Sequence, residues 1–149
     1  MVRQRSVGEK PVIARTAIAE GRLTLSAATA RAIVRGRVEK GDPLAAGELA
    51  GLLAMKRTPE LIPHCHVVRL TGSRVELTTR ARGVSVRAVS EALDRTGVEM
   101  EALVGATVAL LTVWDMVKYL EKDGRGLYPR TSLGPVRIRV KRKGRAVAA

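Results

Sequence analysis

Four ionisable residues stand at fixed points in an otherwise apolar segment, residues 95–118, which reads RTGVEMEALVGATVALLTVWDMVK. A helix that only fills a core has no need of them, because burying a charge without a partner is costly. Such residues face water, pair with one another, or take part in chemistry. The four are Glu99, Glu101, Asp115 and Lys118.

The two ends of this segment offer different chemistry. Asp115 and Lys118 are three residues apart, so one helical face carries both, and they can form an ion pair. Glu99 and Glu101 fall in the first turn of the predicted helix, where the helix dipole favours carboxylates. A solvated ion pair and the dipole are also sufficient structural explanations for the four residues.

The distance between the two ends limits what one chain can build. Sixteen residues separate Glu99 from Asp115, which is about 24 Å along a helix. One helix therefore cannot place both ends in a single small-molecule pocket. Either the ends serve different pockets, or neighbouring chains complete each site.

Two further stretches mix polar and apolar residues in the same way, namely KGD at residues 40–42 and KRTPELIPHCH at residues 56–66. The second contains all the histidine and cysteine of the chain, as His64, Cys65 and His66. A closed zinc site needs a fourth ligand, so we predict no metal. A phosphate-binding loop is favoured, because Lys56 and Arg57 lie just upstream and Lys40 can approach.

Three common motifs are missing from the sequence, namely GxxxxGK[ST], GxGxxG and GxSxG. Nucleotide hydrolysis by a P-loop, dinucleotide binding and catalysis by a serine on a nucleophile elbow therefore have no motif support.

Charge and composition narrow the class of protein. The net charge is +13, and from Gly124 onward there are eight basic residues and no acidic one. This favours an anionic partner, and a small basic nucleic-acid-binding module is the alternative to an enzyme. The chain has no Phe, one Trp and two Tyr, which is few for stacking bases. We expect a cytoplasmic protein, because the chain has a single cysteine and lacks the hydrophobic core of a signal peptide. We expect no membrane span, because charged residues interrupt the longest apolar run.

The pattern of elements predicts one α+β domain over residues 1–149, with a flexible leader at 1–11 and a flexible basic tail at 141–149. We predict strands at residues 17–25 (with a bend at Gly21), 67–70, 75–82, 84–92 and 135–143, and an ordered loop at 58–66. Helices are predicted from Ser26 to about residue 34, at 43–55 with Asp42 as N-cap, and at about 98–122. The long apolar helix needs a partner on its outer side, which oligomerisation would supply.

Taken together, these motifs closely resemble the molybdenum-cofactor biosynthesis protein C family, the cyclic pyranopterin monophosphate synthases. KGDPLAAGELAGLLAMKRTPELIPHCH (residues 40–66) and RTGVEMEALVGATVALLTVWDMVK (residues 95–118) follow the family pattern in order and spacing, and Arg15 opens a similar RTAIAEG strand. His64, Val67 and Trp114 depart from the residues usual in the family. The family's C-terminal lysine and glycine motif is absent, and Lys141 or Lys143 could substitute for it.

The resemblance implies a ferredoxin-like antiparallel sheet with helices on one face, and a homo-hexamer (a trimer of dimers) with sites at subunit contacts. It also implies a lyase that converts (8S)-3',8-cyclo-7,8-dihydroguanosine 5'-triphosphate to cyclic pyranopterin monophosphate with release of pyrophosphate. Asp115, Lys118 and Lys40 would then be catalytic, with a lysine pKa lowered by nearby cations. We expect no cofactor, because the chain supplies its own acids, bases and cations. The expected substrate-binding residues are His64, Cys65, His66, Met100, Glu101, Glu99, Lys56, Arg57 and Arg15.

Overall fold

A computed structural model describes residues 1–146 of the chain. It contains five strands, β1 (Ile13–Thr24), β2 (Leu70–Arg80), β3 (Gly83–Asp94), β4 (Ser132–Leu133) and β5 (Arg137–Ala146), and four helices, α1 (Ala27–Val34), α2 (Pro43–Lys56), α3 (Thr58–Leu61) and α4 (Glu99–Glu121).

All strands join one antiparallel sheet in which β1 is central. β3 pairs with β1 along its whole length, and β2 pairs with the far side of β3. β4 and β5 pair with the other side of β1. The order β2-β3-β1-β5, with α2 and α4 as the crossovers, is the β-α-β-β-α-β arrangement of ferredoxin-like folds. The α+β prediction is confirmed.

The helix starts follow from local sequence. The hydroxyl of Ser26 accepts a hydrogen bond from the backbone N–H of Thr29 and caps α1. The carboxylate of Asp42 accepts from the N–H groups of Leu44 and Ala45, and Pro43 occupies the first position of α2. These caps fix where the chain enters α2, and so where Lys40 lies just before it.

The core lies between one face of the sheet and the two long helices. A Cβ added at Gly51 of α2 would lie 2.8 Å from the carbonyl oxygen of Gly105 in α4, so only glycine permits this close helix packing. By length and composition α4 could cross a membrane, with a mean hydropathy of 1.5 over 18 residues. Its apolar character is accounted for by packing, because its inner side is fully buried at Ala102, Ala106, Ala109, Leu110, Val113 and Val117.

The strands and loops differ from the sequence prediction in several places. β1 begins at Ile13 and continues through Gly21 without the predicted bend. Glycine is needed at this position because an added Cβ would lie 2.8 Å from the side chain of Val136. β3 continues through SEALD to Asp94, because pairing with β1 overrides the helical propensity of that stretch. The predicted loop at 58–66 contains α3, and the two-residue strand β4 was not predicted.

The sequence predicts a flexible leader at residues 1–11 and a flexible basic tail at residues 141–149. The expected tail begins at Lys141, but residues 141–146 continue β5 along β1, which has unpaired backbone groups to satisfy on that side. Residues 147–149 lie outside the described range. Residues 1–12 form no helix or strand, yet they contact the loop at residues 64–66.

Candidate active site

At the C-terminal end of α4, three predicted catalytic residues meet in a lysine–aspartate cluster (Lys40, Asp115 and Lys118). The Nζ of Lys40 lies 3.0 Å from Oδ2 of Asp115, and the Nζ of Lys118 lies 2.6 Å from Oδ1. Lys40 also donates to the backbone carbonyl of Asp115 at 3.0 Å. Each carboxylate oxygen therefore has its own ammonium partner.

The turn before α2 brings Lys40 to this position from a distant part of the chain. Gly41 adopts a φ of 99°, a left-handed conformation that glycine tolerates. The backbone N–H of Glu39 donates to the hydroxyl of Tyr119 at 2.9 Å, which fastens the turn to α4. The cluster is open to solvent, with about half of each of its three side chains exposed.

The charges of the lysine–aspartate cluster fix its resting protonation. The hydrogen bond from Lys118, followed by that from Lys40, lowers the pKa of Asp115 below its ordinary value. The same hydrogen bond raises the pKa of Lys118. The expected lowering of a lysine pKa is therefore wrong for Lys118, because its nearest neighbour is a carboxylate and not another cation. The resting cluster holds two ammonium groups and one carboxylate, and its net positive charge suits a phosphate group.

At the N-terminal end of α4 lies a second group of predicted residues, around a cavity of about 180 Å³ that we call the carboxylate cavity. The loop at residues 64–66 forms one wall, and the turn that leads into α4 forms another. The lining residues are His64, Cys65, His66, Val68, Thr96, Gly97, Met100 and Glu101.

Two buried oxygens at the carboxylate cavity have no hydrogen-bond partner within residues 1–146: Oε2 of Glu101 and Oγ1 of Thr96. Glu101 is only 3% exposed. Burial, with smaller contributions from Glu99 and Asp94, raises its pKa, and burial also raises the pKa of the Cys65 thiol. Buried polar atoms are normally paired, so these two oxygens keep hydrogen-bonding capacity that no described residue uses.

Glu99 joins the same end of the helix to β5. Its carboxylate contacts the ammonium of Lys141. Burial acts to raise the pKa of Glu99, but the hydrogen bond from Lys141 and the charges of Lys141 and Arg15 outweigh it and lower the pKa. Of the two lysines left open by the sequence, the structure places Lys141 at this site.

The other three predicted binding residues also lie at the N-terminal end of α4, but they do not line the carboxylate cavity. Arg15 is buried, and its guanidinium donates to the backbone carbonyls of Asp94 at 3.3 Å and Arg95 at 3.0 Å, so it braces the turn before α4. Lys56 and Arg57 are exposed at the end of α2. Lys56 lines a neighbouring cavity of about 320 Å³, which shares Val68 with the carboxylate cavity.

The structure thus gathers the predicted residues into two groups, at opposite ends of α4 and about 24 Å apart. Neither of the two cavities described above is lined by a residue of the lysine–aspartate cluster. Nor do three or more His, Cys, Asp or Glu side chains meet within residues 1–146 in a way that could hold a metal ion.

Comparison with known proteins decides the family. The model of the MoaC family matches residues 4–144. This chain belongs to the MoaC family. A protein of Archaeoglobus fulgidus, named probable cyclic pyranopterin monophosphate synthase, is 46% identical over 96% of this chain and 92% of its own length. A protein of Pyrococcus abyssi with the same name is 50% identical over 92% of this chain and 86% of its own length. A relative from Methanothermobacter thermautotrophicus, 46% identical over 95% of this chain and 89% of its own, is named a probable cyclic pyranopterin monophosphate synthase accessory protein.

Sequence reasoning missed two features of the MoaC-family site. Thr96 was not singled out, although it lies in the RTG stretch that opens the second motif. The contacts of the N-terminal residues with the loop at 64–66 carried no signal in the sequence, because they are made mostly by backbone carbonyls.

Proposed function

We propose that this protein is a cyclic pyranopterin monophosphate synthase that converts a cyclised dihydroguanosine triphosphate to cyclic pyranopterin monophosphate and pyrophosphate. The observation that carries the proposal is the lysine–aspartate cluster, in which one carboxylate is held between two ammonium groups. The names of the relatives point to the same product.

The lysine–aspartate cluster would perform the acid–base work. Its two ammonium groups offset negative charge that develops on the leaving pyrophosphate. Because the pKa of Lys118 is raised, this residue enters the reaction protonated and acts first as an acid. Asp115 orients Lys118, since its lowered pKa makes it a weak base, and Lys40 holds the carboxylate from the other side.

The opposite end of α4 would bind the substrate. The unpartnered oxygens of Glu101 and Thr96 suit the N–H edge of the purine-derived base. Met100 packs beside them, and Glu99 is oriented by Lys141. The remaining groups (His64, Cys65, His66, Lys56 and Arg57) surround the base and hold phosphates, while Arg15 braces the turn.

Neighbouring chains would complete each site. The two groups are too far apart to meet in one chain, and the outer sides of α2 and α4 expose Leu49, Leu53 and Leu111 at 60, 48 and 47%. An apolar helical face of this kind is suited to a subunit contact. We propose a homo-hexamer, a trimer of dimers, in which the carboxylate cavity of one chain faces the lysine–aspartate cluster of another. We place this assembly in the cytoplasm.

The nucleic-acid alternative receives less support. Two basic side chains of β5 are engaged within the chain, Arg139 with Glu20 and Lys141 with Glu99. Their pairing with carboxylates leaves less positive charge on β5 for a phosphate backbone.

The test is direct turnover. Purified protein is incubated with the cyclised dihydroguanosine triphosphate, and pyrophosphate and the oxidised, fluorescent pterin are measured together. Release of both in equal amounts would support the proposal. A folded oligomer that releases neither would refute it, and salt-dependent retention of oligonucleotides would then favour a nucleic-acid-binding module.

A further inference from the structure

We propose that residues 3–10 form an N-terminal strap that holds the loop at residues 64–66 in its binding position, with Gln4 as a positioning residue. The inference rests on the proposed function, in which this loop binds the substrate. It concerns a segment outside the motifs that carry the catalytic residues.

The side chain of Gln4 reaches the backbone of the loop. Its Nε2 donates to the carbonyl of Cys65 at 2.9 Å and to the carbonyl of His64 at 3.4 Å. The amide of Gln4 thus spans two successive peptide units of one wall of the carboxylate cavity. Alanine lacks both contacts, and glutamate, which has no N–H group, cannot donate to either carbonyl.

The backbone of the strap holds both histidine rings. Nδ1 of His64 lies 3.1 Å from the carbonyl oxygen of Arg3, and Nε2 of His66 lies 2.8 Å from that of Arg5. A carbonyl oxygen can only accept, so each of these ring nitrogens carries a proton. The strap therefore determines which nitrogen of each ring is left for a ligand, namely Nε2 of His64 and Nδ1 of His66.

The far end of the strap is tied to the turn before α4. The guanidinium of Arg95 donates to the carbonyl of Lys10 at 2.9 Å and contacts that of Gly8. Arg15 in turn donates to the carbonyl of Arg95 at 3.0 Å. One segment thereby joins two walls of the carboxylate cavity, the loop at 64–66 and the turn that carries Thr96.

The single cysteine provides a probe of the strap that does not depend on activity. The reaction rate of Cys65 with a disulfide reagent is measured in the full chain, in Gln4→Ala, in Gln4→Glu and in a chain lacking residues 2–7. Loss of the Gln4 contacts should speed the reaction about five-fold, the scale of one hydrogen bond, and the deletion should speed it further. Arg3→Ala is the matched control, because Arg3 contacts the loop through its backbone, and its rate should be unchanged.

Steady-state kinetics and histidine NMR supply two further readouts. Gln4→Ala and Gln4→Glu should raise KM about five-fold with kcat retained. Ring ¹⁵N signals of the two histidines should show one fixed tautomer each in the full chain and a mixture after the deletion.

Equal thiol rates in Gln4→Ala, Arg3→Ala and the unaltered chain would overturn the proposal. A lower KM after deletion would also overturn it, because the segment would then compete with the substrate and not position its loop. Absence of turnover in the unaltered chain would refute the proposed function instead, and the strap would be judged by the thiol rates and the NMR spectra alone.

Discussion

The two ends of α4 both carry carboxylates, and the environment of those carboxylates is opposite. Asp115 is 56% exposed, holds an ammonium group on each oxygen and has a lowered pKa. Glu101 is 3% exposed, lacks a partner for Oε2 within the described residues and has a raised pKa. A carboxylate held between two ammonium groups is equipped to orient proton donors, whereas the buried carboxyl of Glu101 keeps hydrogen-bonding capacity that no described residue uses.

The largest expected effect on turnover is at the C-terminal end of α4, where the lysine–aspartate cluster is exposed. Lys118→Ala should fold, assemble and bind substrate, but it should turn over at least about 100-fold more slowly, because it removes the acid that is paired with Asp115. Single-turnover kinetics with the cyclised substrate measure this directly.

Lys122→Ala is the matched control for that variant. Lys122 follows α4 by one residue and forms no ion pair with any described residue, so its removal should leave kcat unchanged. Near-normal turnover by Lys118→Ala, or an equal loss in both variants, would remove Lys118 from the mechanism.

A smaller effect, the pH dependence of the free energy of unfolding, distinguishes the two ends of α4. The raised pKa of Glu101 means that the folded state holds its proton longer than the unfolded state. Stability is therefore lost as the pH rises from the unfolded to the folded pKa of Glu101. Glu101→Gln should abolish this loss and raise the free energy of unfolding at neutral pH by about 1 kcal/mol.

Asp115 should show the opposite dependence. Its lowered pKa gives stability that is present above the unfolded pKa and lost as the pH falls through the folded pKa. Asp115→Asn should remove this acid-side loss, and it should also remove the alkaline-side loss that comes from the raised pKa of Lys118, because both shifts arise from the same ion pair. Urea unfolding of the two variants over a pH series tests the contrast, and parallel profiles would contradict it.

The sequence predicted best where the local signals agreed with one another. Ser26, Asp42 and Pro43 set the starts of α1 and α2, and the three-residue spacing of Asp115 and Lys118 predicted their ion pair. The family motifs predicted which residues gather at each end of α4, as the shared cavity of His64, His66 and Glu101 illustrates.

Features that depend on contacts distant in sequence were not predictable. The position of Lys141 against Glu99 depends on the register of β5 with β1, which includes two irregularities. The stretch SEALD has helical propensity, and only pairing with β1 makes it a strand.

The central claim is that the two ends of α4 from different chains form one active site, and subunit complementation tests it most directly. Lys118→Ala and Glu101→Gln chains, each carrying a different tag, are co-expressed, and the mixed oligomer is isolated through both tags. Each parent should be nearly inactive, while random pairing should restore about a quarter of the wild-type activity, since half of the pairs are mixed and each has one intact site. A mixed oligomer as inactive as its parents would show that each chain builds its site alone, and would contradict the account.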